Sequence, residues 1–132
     1  MTDNGTVGIV LISHSRQLAE GAADVAAQVS AGAVRIVGVG GTDDGALGTS
    51  IDALATAVDK VDGGRGVVVV PDLGSSVLTA RAYISDHPGA GVAVADAPFV
   101  EGAVAAAVTA SGGADLVDVV AAAEGARDVR KL

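Results

Sequence analysis

The chain has 132 residues, half of them apolar, with 16 acidic against 8 basic side chains and a net charge of −8. That length suits one domain with a sizeable core, and an acidic chain without a Lys/Arg cluster excludes nucleic acid as the expected partner. Cysteine is absent, which excludes disulfides and thiolate metal sites.

In chain order, Met1–Thr6 is polar and lacks a basic stretch, so no secretory signal is expected. VGIVLISHS (Val7–Ser15) reads as a buried strand over Val7–Ile12 running into Ser13-His14-Ser15. A helix from about Leu18 to Ser30 places Leu18, Ala22, Val25, Ala26 and Val29 on one face, and Gly32 suits its stop. A second strand, Ala33–Gly40, meets the loop GGTDDGALGT, and the next helix, about Ser50 to Lys60, takes Ser50 or Thr49 as its cap. Its inward residues are expected to be Ile51, Leu54, Ala55 and Val58.

Val67–Val70 is continuous and β-branched, as a central strand covered on both faces should be. Pro71 follows, so that strand must end there or lose a ladder bond. After PDLGSS comes a helix over about Ser76–Ser85, the turn DHPGA containing His87, and a fourth strand over Gly91–Ala95. Asp96-Ala97-Pro98 opens another helix, whose stripe is expected to be Val100, Val104, Ala107 and Val108. Ser111-Gly112-Gly113 breaks it, and a last helix covers about Asp115–Glu124. Residues 1–6 and 126–132 are expected to be flexible tails of a single domain. The longest uncharged apolar tract, Gly102–Ala114, is too short to span a bilayer, so no membrane role is expected and the cytoplasm is the expected location. With Tyr83 and Phe99 the only aromatic residues, the core must be built from Val, Ile, Leu and Ala.

Four strand–helix alternations predict an α/β fold, a parallel four-stranded sheet doubly wound with helices on both faces. The carboxyl ends of such strands share one edge, where ligands bind. Each carries a polar cluster: Ser13, His14 and Ser15; Gly40, Gly41, Thr42, Asp43 and Asp44; Asp72, Gly74, Ser75 and Ser76; and Asp96. The opposite ends are plain turns. A histidine beside a carboxylate can have its tautomer fixed, leaving the second ring nitrogen as a nucleophile. Glycine-rich turns and helix starts suit a phosphate. Duller roles compete: His14 as a hydrogen-bonded loop residue, Asp43-Asp44 as a turn and cap cluster, Asp72 as a helix cap, and His87 as turn material. The chain offers no metal-ligand set of His and Cys and no calcium-loop spacing.

SHS, GGTDDGALGTS, PDLGSS and DAPFVEGA, in that order over Val7–Glu124, closely resemble the phosphotransferase subunits of PTS-dependent dihydroxyacetone kinases. Those subunits carry a mannose-type enzyme IIA domain. The resemblance implies that His14 is phosphorylated by the phosphocarrier protein HPr and passes the group to ADP on a nucleotide-carrying kinase subunit. Carried over by position, Asp72 orients His14 through Nδ1–H, leaving Nε2 to take the phosphoryl group. Ser15, Gly41, Thr42, Gly74 and Ser75 are the expected phosphate-binding set. No metal or cofactor is expected on this chain, ADP/ATP and Mg residing on the partner subunit. A cytoplasmic homodimer and a separate phosphodonor are also implied. Two alternatives stay open: a mannose-type enzyme IIA for sugar uptake, passing phosphate to an enzyme IIB protein, and a regulatory module phosphorylated on His14 without turnover.

Overall fold

A strand covered on both faces buries alternate residues in opposite directions, and Val, Ile and Leu fill both directions here. The computed structural model describes residues 5–42 and 49–132. The elements run β1 (Gly8–Ser13), α1 (Arg16–Val29), β2 (Ile36–Gly40), α2 (Ile51–Val61), β3 (Val67–Pro71), α3 (Gly74–Asp86), β4 (Val92–Val94), α4 (Phe99–Ser111) and α5 (Leu116–Gly125). The four strands pair in the order β2-β1-β3-β4, all parallel. Ile9 lies opposite Ile36 on one side and Val68 on the other. The α/β doubly wound reading therefore holds.

The chain steps one way from β1 to β2 and the other way from β2 to β3 and β4. Right-handed crossovers then require α1 on one face of the sheet and α2 and α3 on the other. That is the arrangement observed. Val7, Ile9, Leu11, Val68 and Val70 pack with residues of α1, α4 and α5, including Ala26, Ala107 and Val119. Val10, Ile12, Val67 and Val69 pack with Leu54, Val58, Val61 and Tyr83 of α2 and α3. The reversal of direction falls between β1 and β3, the place where a doubly wound sheet opens a crevice at its carboxyl edge.

Two helix faces differ from the sequence expectation. In α1 the buried residues are Ala19, Ala22, Ala23 and Ala26, whereas Leu18, Val25 and Val29 are 46%, 46% and 51% exposed. In α4, Gly102, Ala103, Ala106, Ala107 and Ala110 are buried, and Val100 and Val108 stand outside. The cause is close approach. A Cβ on Gly38 of β2 would collide with the backbone of Ala19, and one on Gly102 would come within 2.8 Å of Ala97 Cβ. Helices seated that near the sheet and each other have room for methyl groups, and larger β-branched side chains turn outward.

Pro71 is the last residue of β3. The neighbouring Asp72 N–H bonds Ile12 O at 3.1 Å on the β1 side, and Val69 O accepts from Ala95 N on the β4 side. By strand alternation the N–H that proline lacks would face β4 beside Ala95, so the ladder with β4 ends at the bond from Ala95 N to Val69 O. Residues Ala126–Asp128, in the segment expected to fray, form a 3-10 turn with Ala126 buried.

Candidate functional site

Ser13 closes β1, and the chain must turn at once to start α1. Two serines make that turn: Ser13 Oγ accepts the Ser15 N–H at 2.9 Å, and Ser15 Oγ accepts the Leu18 N–H at 3.3 Å as the cap of α1. His14 sits between them, part-exposed at the sheet edge. Gly40 at the end of β2 permits this packing, since a Cβ there would lie 2.7 Å from Ser13 O and 2.8 Å from Arg16 N.

Asp72, one residue beyond β3, holds this turn from the other side. Its carboxylate accepts Ser13 Oγ–H at 2.7 Å, Ser76 Oγ–H at 2.7 Å, the Leu73 N–H at 2.7 Å and the His14 N–H at 3.2 Å. Ser13 and Ser76 are fully buried. Burial pushes the Asp72 carboxyl up, but the bonds from Ser13, Ser76 and the Leu73 and His14 amides outweigh it and hold it below the ordinary carboxylate range.

The expected contact of Asp72 with the imidazole is not what the structure has. Asp72 bonds the His14 backbone, and the ring Nδ1 lies 3.3 Å from Ser75 Oγ instead. The reason is geometric: β3 ends beside β1 in register, Ile12 opposite Pro71. The carboxylate thus comes level with the backbone of the following residues, while the first turn of α3 lifts Ser75 to the height of the ring. Asp72 is also not the cap of α3, whose N-cap residue is Leu73 and which has no side-chain cap bond. The Gly74 and Ser75 N–H groups in that first turn have no acceptor among the described residues. With the start of α1 opposite, two helix N-termini and their positive dipole ends flank His14.

Of the expected phosphate-binding set, Ser75 adjoins the ring, and Gly74 precedes it in the first turn of α3. The Ser15 hydroxyl is engaged as the α1 cap. Gly41 is buried with φ of +74°, and Thr42 follows it, half-buried, at the same sheet edge. Asp43 and Asp44 lie outside the described residues. Asp96 reaches the same edge from β4 but is tied elsewhere: Glu124 Oε2 accepts its N–H at 3.0 Å, and Arg127 bonds its carbonyl and carboxylate. His87 lies at the far end of α3, stacked on Tyr83 with ring centroids 4.2 Å apart.

Sequence reasoning placed Ser13 and Ser76 in the polar clusters without giving either a role, offered Thr49 only as an alternative cap of α2, and did not name Thr79. The Thr49 and Thr79 hydroxyls are hydrogen-bonded to each other at 2.6 Å and lie 3.4 and 3.0 Å from the Ser75 carbonyl oxygen, so that one donates to the carbonyl and the other to its neighbour. They fix the first turn of α3 that carries Ser75. A polar residue ending an apolar strand was the available signal for Ser13, and the four-residue spacing from Asp72 for Ser76. Among the described residues no group of His, Asp and Glu could hold a metal ion, and no helix is long and apolar enough to cross a membrane.

Residues 8–120 match the EIIA-man family, described as the PTS system fructose IIA component. The chain is 33% identical over 105 residues to the phosphoryl donor subunit DhaM of PEP-dependent dihydroxyacetone kinase 2 from Listeria innocua, covering 77% of this chain and 84% of that one. It is 34% identical over 120 residues to the corresponding subunit of Escherichia coli, covering 86% of this chain but 25% of that longer protein. Among solved structures it is similar to a crystallised protein of unknown function, with TM-score 0.79, 31% identity and coverage of 90% and 93% of the two chains. A sigma-54 interaction domain protein from Enterococcus faecalis shares the fold, with TM-score 0.72, 14% identity and coverage of 96% and 93%. The match over most of the chain, together with the four-stranded parallel sheet, makes this protein a member of the EIIA-man family of PTS components.

Proposed function

We propose that this chain is the phosphoryl donor subunit of a PEP-dependent dihydroxyacetone kinase, with His14 as the carrier. The observation that carries the reading is the placement of the His14 ring at the crevice between β1 and β3, its Nδ1 beside Ser75 Oγ and its turn braced by Asp72. The names of the relatives support the reaction class.

In this reading neutral His14 keeps its proton on Nδ1, donated to Ser75 Oγ. Nε2 attacks the phosphorus of phosphohistidine on HPr in line. The donor N–P bond breaks with its electron pair returning to the donor ring, and the new N–P bond forms on Nε2. Transfers of this kind have loose transition states, so positioning and charge stabilisation dominate. Ser75 Oγ fixes the tautomer and the ring orientation, and the positive ends of α1 and α3 flanking the ring stabilise the charge of the phosphoryl group. Asp72 acts one step back: it fixes the His14 backbone and, by staying ionised, keeps Ser13 and Ser76 as donors. The group then passes to ADP on the nucleotide-carrying kinase subunit, in the cytoplasm, with the carrier acting as a homodimer.

The test is phosphorylation by enzyme I, HPr and phosphoenolpyruvate, read by intact mass, for wild type and His14→Ala. An acid-labile gain of one phosphoryl group, absent from the variant, is expected; no gain in the wild type overturns the reading. The family description also covers sugar-uptake components. Adding the ADP-loaded kinase subunit or an enzyme IIB protein separates the two, since only the true acceptor discharges the carrier.

A further inference from the structure

A recess of about 390 Å³ opens on the β4 side of Asp72, walled by Asp72, Val77, Arg81, Val94 and Asp96. Val77 and Arg81 are four apart on α3, so they share one helix face. Side chains on a helix lean toward its N-terminus, which here is the end carrying Ser75 and adjoining Asp72. The two carboxylates in the wall are already committed, Asp72 to its four donors and Asp96 to Arg127. Arg81 is exposed and makes no ion pair or hydrogen bond among the described residues. A guanidinium left open in a recess that shares Asp72 with the His14 turn, in a chain of net charge −8, calls for an anion.

We infer that Arg81 receives the phosphates of the acceptor nucleotide during onward transfer. The inference rests on the carrier reading of His14. In loading, the donor's phosphoryl group approaches a neutral imidazole, so there is little repulsion for a local cation to offset. Discharge is the harder encounter: a nucleoside diphosphate must approach a phosphorylated histidine on an acidic protein. In that step the His14 Nε2–P bond breaks with its electron pair staying on Nε2. The ring, still protonated on Nδ1, ends neutral. A terminal oxygen of the diphosphate forms the new P–O bond, giving the triphosphate. Arg81 contacts the non-transferred phosphate, offsetting the repulsion and holding the diphosphate in line.

The experiment compares wild type, Arg81→Ala, Arg81→Glu and Arg81→Lys in two separate stages. Loading of His14 from phospho-HPr, followed by intact mass, is expected to proceed at the wild-type rate in all four. Discharge to the ADP-loaded kinase subunit is expected to fall about tenfold in Arg81→Ala, further in Arg81→Glu, and to be partly restored in Arg81→Lys. Binding of the carrier to the kinase subunit is then measured with and without nucleotide. The defect should appear only when ADP is present. Wild-type discharge by Arg81→Glu, or an equal loss in the loading step, overturns the inference. An equal loss of affinity for the nucleotide-free subunit also overturns it, because Arg81 would then meet a protein carboxylate. Failure of the wild type to load refutes the carrier reading itself and leaves Arg81 without the anion assigned here.

Discussion

Removing the carboxylate of Asp72 should cost more stability than activity arguments alone suggest, because it serves as the common acceptor of two chain segments. In Asp72→Ala, two fully buried hydroxyls, Ser13 and Ser76, and the Leu73 N–H lose bonds of 2.7 Å. Hydrogen bonds to a charged group contribute about 1.5–3 kcal/mol each. The carboxylate is part-exposed, so water can replace one of the three. The expected loss is then about 3–6 kcal/mol. In Asp72→Asn the Ser13 hydroxyl can turn and accept from the new amide, so only charge assistance is lost, about 1–2 kcal/mol. Urea unfolding followed by far-UV circular dichroism reads both values. A double-mutant cycle with Ser13→Ala should show that the serine contributes almost nothing once Asp72 is alanine. An Asp72→Ala variant within about 0.5 kcal/mol of wild type, or strict additivity in the cycle, would refute the brace.

The same carboxylate makes stability pH-dependent. Its folded value is depressed below 3.8, so its contribution is complete above that pH and is lost as the pH falls through the folded value; in Asp72→Asn the acid limb of the stability profile should flatten. Ser75→Ala leaves Nδ1 without its oxygen partner at 3.3 Å and should slow loading of His14 about tenfold while leaving the unfolding midpoint nearly unchanged. Gly40→Ala drives a methyl against the backbone of Ser13 and Arg16, and should destabilise the fold by about 1–3 kcal/mol and slow phosphorylation together. On α1, Val25→Lys should be neutral within about 0.5 kcal/mol whereas Ala26→Leu should cost about 1–3 kcal/mol, the reverse of what the apolar pattern implies. Thermal melts check the last pair.

The sheet was legible because its strands are short apolar runs bounded by turn residues, and Val67–Val70 has no competing reading. His14 was legible because a polar triplet interrupts the pattern at a strand end. What escaped was anything decided by distance of approach. Leu18 and Val25 carry the larger hydrophobic signal, yet Ala19 and Ala23 join the expected Ala22 and Ala26 in facing the core, because glycine in β2 draws α1 in. The partner of Asp72 escaped for a related reason. Sequence places the carboxylate beside His14, but only the register of β3 against β1 decides between the backbone amide and the imidazole. Ser13 and Ser76, ordinary residues in a string, acquire their role through burial alone.

The bond between Ser13 and Asp72 spans 59 residues and joins strands that are neighbours in the sheet but not in the chain. The site therefore cannot assemble locally. During synthesis the segment through β2 can emerge and form its first strand pair with His14 exposed but unbraced. The histidine acquires its setting only when β3 inserts beside β1 and the start of α3 follows. A partly made chain would be a poor substrate for any phosphodonor. Competence would arise with the third strand, tying the onset of chemistry to the completion of the sheet.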